Sequence, residues 1–226
     1  AAAQCVRSVS DWMDSDFVSS FLASAQRLAA GDRNLYDVGA LHTFLQSQYH
    51  RNVGFPIQFA NPPLAAFVLQ PFTALPAAVA LALFLAITLA AMAMAFALLR
   101  RDLDAPGPVV VAAAVLSLPA AQTLALGQWS GLLLLAAAGA LVLVQRRPLL
   151  AGIVLGALLL KPQLLLLVVP ALLAARAWHI LAGIGLAALA WISSSLVLIG
   201  PRATLAIPSQ VLPTEASISA VSVSLP

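Results

Sequence analysis

Leu149-Leu150-Ala151-Gly152-Ile153-Val154-Leu155-Gly156-Ala157-Leu158-Leu159-Leu160, then Lys161-Pro162-Gln163, then Leu164-Leu165-Leu166-Leu167-Val168-Val169-Pro170-Ala171-Leu172-Leu173-Ala174-Ala175, is apolar throughout except at Lys161 and Gln163. It forms two short apolar runs, 149–160 and 163–175, joined at Lys161-Pro162. Each arm of about a dozen residues reaches only ~20 Å at ~1.5 Å per residue, short of the ~30 Å hydrocarbon core of a bilayer. With Arg147 before it and Arg176 after it, the segment reads as a re-entrant-like hairpin that turns inside a membrane with Lys161 at its tip. A lysine at that depth is costly and marks a functional site by default. A backbone broken at Pro162 is tolerated there only against protein or a wet cavity. The plainer alternative is a lysine that snorkels to an interface.

Composition extends this reading to the whole chain. Of 226 residues, 62% are hydrophobic and 8% charged, against about 25% charged in soluble domains, and the mean hydropathy is +1.00. A soluble fold of this size has too little interior to hide that surface. The predicted class is all-α, a polytopic transmembrane helical bundle. The net charge is +3, carried by scattered Arg singles and pairs. That is no nucleic-acid footprint and is typical of cytoplasmic loops. Cys5 is the one cysteine, and His42, His50 and His179 are far apart, so neither an internal disulfide nor metal-ligand spacing is present.

Residues 1–62 are mixed and polar and hold Asp11, Asp14, Asp16, Asp32 and Asp37, five of the eight acidic residues. They read as an extracytoplasmic loop of amphipathic helices on the membrane surface. Phe17, Phe21, Leu22, Ala25 and Leu28 fall at helical spacing. Ser15 or Asp16 is placed to cap that helix and Gly31 to end it, and a second helix is predicted from Val38 to about Tyr49, capped by Asp37. Asn61-Pro62-Pro63 leads into the transmembrane region, 63–200. Within it, spans are predicted over about 75–99, 108–126, 130–144 and 180–199, with a short re-entrant or interfacial piece before the first. Trp129 and Trp178 stand beside span ends, as in an interfacial aromatic belt. If the spans alternate, Arg100-Arg101, Arg146-Arg147 and Arg176 share the cytoplasmic side. Residues 1–62, Gln128 and a further loop at 201–226 then face outward. The opening Ala1-Ala2-Ala3 and closing Ser224-Leu225-Pro226 read as the ends of a fragment truncated on both sides.

Several stretches occur in a familiar order: Asp14-Ser15-Asp16-Phe17, Ala30-Gly31-Asp32-Arg33-Asn34-Leu35-Tyr36-Asp37, Asn61-Pro62-Pro63-Leu64, Gln70-Pro71-Phe72, Leu75-Pro76, Leu126-Gly127-Gln128, and Gly156 through Lys161-Pro162-Gln163. Together they resemble glycosyltransferase family 87, the polyprenol-phosphate-mannose-dependent α-mannosyltransferases of the GT-C class. The family more often has an aromatic residue where this chain has Asn61. The resemblance implies a GT-C type bundle. It implies transfer of a mannosyl or related hexosyl or pentosyl group from a polyprenyl phosphate to an acceptor hydroxyl on the outer face, with inversion. It also implies that Asp16 is the base.

The residues agree with that chemistry. An inverting transfer needs a carboxylate at the acceptor hydroxyl and positive charge or fixed donors at the leaving phosphate. Asp16 suits the first role, while Lys161 and Gln128 suit donor phosphate and sugar binding. Asp14, Gln163 and Asn61 are secondary candidates. Asp16 reads equally well as a helix cap, and Gln128 as a span-end residue. No cofactor is expected, because the donor arrives in lipid and the chain has no phosphate-cradling Gly-rich loop; a divalent metal stays open. The expected partners are the polyprenyl-phosphate sugar, a glycolipid, polysaccharide or other acceptor, and the lipid bilayer, with no nucleic acid. The setting expected is a multi-pass plasma-membrane protein of a GC-rich bacterium. A transporter or lipid flippase built on the midplane Lys161 is the competing class.

Overall fold

The computed structural model describes residues 12–50, 58–100, 117–205 and 207. Every regular element among them is helical. The chain divides into two compact units. One holds Ala78–Trp191 with the chain up to Ser15, and the other holds Asp16–Ala77 with the chain from Ile192 onward.

In the second unit a six-residue π-helix, Phe17–Leu22, runs into α1, Ala23–Ala29. The sequence placed this stretch on a surface with one apolar face. Instead Phe17 through Ala25, with Arg27 and Leu28, are all buried. Two features allow polar residues to be enclosed here. Ser20 Oγ donates to the Gln58 carbonyl at 3.0 Å, and Arg27, 3% exposed, has its guanidinium filled by acceptors. Its Nε donates to Asp32 Oδ2 at 2.9 Å, and its Nη2 to the Asn34 carbonyl at 2.9 Å. A buried cation is stable only when paired and hydrogen-bonded in this way. Gly31, at φ +88°, closes α1 with a Schellman pair, Gly31 N–H to Leu28 O and Asp32 N–H to Arg27 O, both 3.0 Å. Asp32 therefore serves the turn, accepting from Asn34 N–H at 2.8 Å as well.

Helix α2, Val38–Tyr49, has the limits its capping signals predicted, and Asp37 Oδ1 accepts from Ala40 N–H at 3.0 Å. This is the amphipathic helix of the region. Leu41 and Leu45 are buried against Ala23, while Thr43, Gln46, Ser47 and Gln48 face outward. Helix α3, Pro63–Val68, starts on its proline, and a 3₁₀ turn over Gln70–Ala74 follows.

The other unit is apolar. Helix α4 is Ala77–Leu99, α5 Leu118–Leu126, α6 Ser130–Leu143, α7 Pro148–Leu155, α8 Leu165–Ala174 and α9 Trp178–Leu198, with Ala77 and the part of α9 from Ile192 falling in the second unit. Among the described residues, α4 and α9 are the two helices long and apolar enough to cross a membrane. The remaining apolar helices are shorter: α6, with 14 residues, spans only ~21 Å at ~1.5 Å per residue. The predicted span 108–126 is described only from Ser117, which caps α5 in an extended conformation (ψ 144°); its earlier part lies outside the described residues.

Glycine contacts give the direction of these helices. A Cβ on Gly152 would meet the Ile180 carbonyl oxygen and stand 2.9 Å from Gly183 Cα; one on Gly183 would meet the Leu149 carbonyl oxygen; one on Gly156 would meet the Ala187 side chain. Positions 149–156 thus pair in ascending order with 180–187, so α7 and α9 run parallel with their backbones touching. The chain between them must therefore return to its starting end. It does so from a break at Lys161 (φ −131°, ψ 78°), between the 3₁₀ turns Gly156–Leu160 and Pro162–Leu164.

This contact yields a stability prediction. An alanine at Gly183 strikes backbone atoms on α7, which no rotamer change relieves, so α7 and α9 must separate. Gly183→Ala is expected to cost about 1–3 kcal/mol, the usual range for overpacking, read as a lower thermal midpoint in detergent. Gly185→Ala is the control, since a Cβ there meets nothing within 4 Å. Equal midpoints for the two variants would contradict the close α7–α9 contact.

Candidate active site

Lys161 is the chain's one lysine, and the structure gives it partners from the loop between α5 and α6. Its Nζ donates to Gln128 Oε1 at 2.7 Å and to Ser130 Oγ at 3.1 Å. Two of the residues picked from the sequence, 33 positions apart, therefore meet at one point.

Local geometry explains why. Gly127 ends α5 in the left-handed region, φ 63°, and Gln128 N–H bonds Thr123 O at 2.9 Å across it. This αL closure turns the chain so that α6 starts two residues later. Helices α6 and α7 then pair through the turn at Gln145-Arg146-Arg147, with a Cβ on Gly139 3.9 Å from Val154. The start of α6 and the end of the α7 arm consequently lie at the same end of an antiparallel pair.

Trp129 is not a belt residue. It is 5% exposed, and its ring meets Phe84 of α4 edge-on, with centroids 5.4 Å apart and planes at 87°, a favoured aromatic geometry. Trp178, 61% exposed, does keep the outward position expected of it.

The other candidates fall as follows. Asp16 precedes the π-helix with helical backbone angles, φ −55° and ψ −32°, and its side chain makes no capping bond to it. Asp16 therefore does not cap that helix through a side-chain hydrogen bond. Ser15 Oγ donates to Trp12 O at 2.7 Å. Asp14 ends the turn Trp12–Asp14, and its side chain lies outside the described ones. Asn61 is 8% exposed, and its backbone carbonyl accepts from Tyr36 OH at 2.9 Å. Burial pushes the Tyr36 phenol well above its usual range, so it stays protonated and donates. Gln163 sits exposed on the 3₁₀ turn after Lys161. Asp16 and Asn61 belong to one unit, Lys161 and Gln128 to the other. Among the described residues no three His, Cys, Asp or Glu side chains are grouped to hold a metal.

Ser130 went unnoticed in the sequence. A serine opening an apolar helix is an ordinary start signal, and only the contact with Lys161 sets it apart.

Among the described residues every regular element is helical, two apolar helices are of bilayer length, and a lysine is hydrogen-bonded at the break of an apolar segment, a combination that suits association with a membrane. The chain is a member of glycosyltransferase family 87, whose family model matches residues 59–221. The protein is therefore a sugar-transferring enzyme, which sets aside the transporter or flippase alternative. The match includes Asn61, Gln128, Lys161 and Gln163 and begins after Asp14, Asp16 and the Gly31–Asp37 run. No curated protein and no solved structure matches the chain.

Proposed function

We propose that this glycosyltransferase moves a mannosyl, or a related hexosyl or pentosyl, group from a polyprenyl phosphate to an acceptor hydroxyl on the extracytoplasmic face, with inversion. The observation that carries the reading is the Lys161 ammonium set by Gln128 and Ser130. An ammonium fixed in place is suited to an anionic leaving group, because it needs no reorganisation as charge develops. Its placement also favours a lipid donor. Lys161 lies some dozen residues, roughly 20 Å by the helical rise, from Arg147, and so within or near a bilayer whose edge is at the arginines.

In the proposed step the acceptor oxygen attacks the anomeric carbon from the face opposite the phosphate. The new C–O bond forms as the bond from carbon to phosphate oxygen breaks. The electron pair leaves with polyprenyl phosphate, whose charge Lys161 offsets. The acceptor proton passes to the Asp16 carboxylate. This chemistry calls for no redox group and for no nucleotide at the site, and we propose that it runs without a cofactor. The proposed setting is a multi-pass GT-C bundle in a bacterial plasma membrane, with a glycolipid, polysaccharide or other hydroxyl acceptor.

The test supplies the full-length protein in membranes with radiolabelled polyprenyl-phosphate-mannose, with other polyprenyl-phosphate sugars and with a nucleotide sugar. Label should move from a lipid donor into a chloroform-soluble or polymeric product of inverted anomeric configuration, and not directly from the nucleotide sugar. Absence of transfer from every lipid donor would refute the reading.

A further inference from the structure

We infer that Ser130 is a positioning residue of the transfer reaction, holding the Lys161 ammonium where the donor phosphate meets it; this rests on the role proposed for Lys161. The argument begins with the lysine. Its backbone lies between two 3₁₀ turns in a non-helical conformation, and its four-carbon stem has many rotamers. An ammonium on such a stem is a precise electrostatic group only if neighbours restrict it.

Gln128 and Ser130 do so, and they flank one anchored residue. Trp129 packs its ring on Phe84. Gly131 brings the start of α6 close to α4, so that a Cβ there would lie 2.7 Å from Thr88 Cγ2 and 2.9 Å from Met92 Cγ. Positions 129 and 131 thus fix the start of α6 against α4, while 128 and 130 provide acceptors for Lys161. The acceptors differ in kind. Gln128 reaches Lys161 through a side chain with three torsions, whereas Ser130 has one torsion and stands on the first residue of a helix. The shorter and stiffer group defines the position of the ammonium. A hydroxyl that accepts from Lys161 can still donate its own hydrogen.

The experiment compares Ser130→Ala and Ser130→Thr in the full-length protein, measuring kcat, KM for the lipid-linked donor and the thermal midpoint. Threonine keeps the hydroxyl and alanine removes it. Ser130→Ala is expected to lower kcat/KM about tenfold, mostly through kcat, with an unchanged midpoint, and Ser130→Thr to recover activity to within about threefold; a tenfold loss corresponds to about 1.4 kcal/mol. Activity of Ser130→Ala within twofold of wild type overturns the inference. So does an equal loss in both variants, or a loss that tracks the midpoint, since each marks a packing role. Failure of wild type to use any lipid donor refutes the proposed function instead, and the two failures are told apart by the wild-type control.

Discussion

Asp16→Asn is expected to lower sugar transfer by about 10²–10⁴-fold, the range of general-base contributions, while the protein stays folded. Asparagine matches aspartate in shape but cannot take up the acceptor proton. The Asp16 side chain makes no capping bond to the helix after it, so the cap contributes nothing to the expected loss. The effect should therefore fall on kcat, with donor KM and the thermal midpoint close to wild type. The assay is radiolabelled transfer from the lipid donor at saturating acceptor. Undiminished transfer would remove Asp16 from the mechanism. A parallel fall in midpoint would assign it to folding instead.

Lys161→Met is expected to cost about 10²–10³-fold in kcat, the loss typical when one fixed donor to a developing anion is removed. Methionine keeps most of the stem and deletes the ammonium that bonds Gln128 and Ser130. Lys161→Arg should fall between the two, because guanidinium keeps the charge but sets its donors in a planar fork. Stability supplies the discriminating readout. A charged residue within an apolar segment is unfavourable to the fold, so replacing it with an apolar one should leave the thermal midpoint equal or higher. Lost activity with retained or increased stability is the signature of a functional lysine. Full activity in Lys161→Met would show that the side chain only snorkels.

Family membership and the Lys161 cluster bear on these two predictions unequally. The match covers residues 59–221 and so includes Lys161 and Gln128. Asp16 lies before it, and its role rests on the resemblance of the Asp14–Phe17 stretch. The Asp16 experiment accordingly carries the greater information about mechanism.

Local signals in the chain were readable because they are local physics. Asp37 before an apolar-periodic run marked the start of α2 at Val38. Pro71, Pro76 and the charges at Arg100-Arg101 set a span at about 75–99, close to the observed α4, Ala77–Leu99. Gly31 and Gly127 marked helix ends because each takes a positive φ, and Lys161-Pro162 marked a backbone break. Each depends only on dihedral preference, a missing N–H or a nearby cap.

What tertiary structure alone decided was which faces meet. Along α4, Ala80, Leu81, Phe84, Thr88 and Met92 are buried while Val79, Leu83, Ile87 and Met94 are exposed, yet both sets are almost wholly apolar. In a chain suited to lipid, the outward face is as hydrophobic as the packed one, and the periodic contrast that reveals a core in water is erased. The enclosure of Phe17–Leu28, the packing of Trp129 on Phe84, the parallel glycine contact of α7 with α9 and the pairing of Ser130 with Lys161 all lie beyond that limit. Each requires residues distant in sequence to be brought together, and an Ala- and Leu-rich pattern does not encode which partner they find.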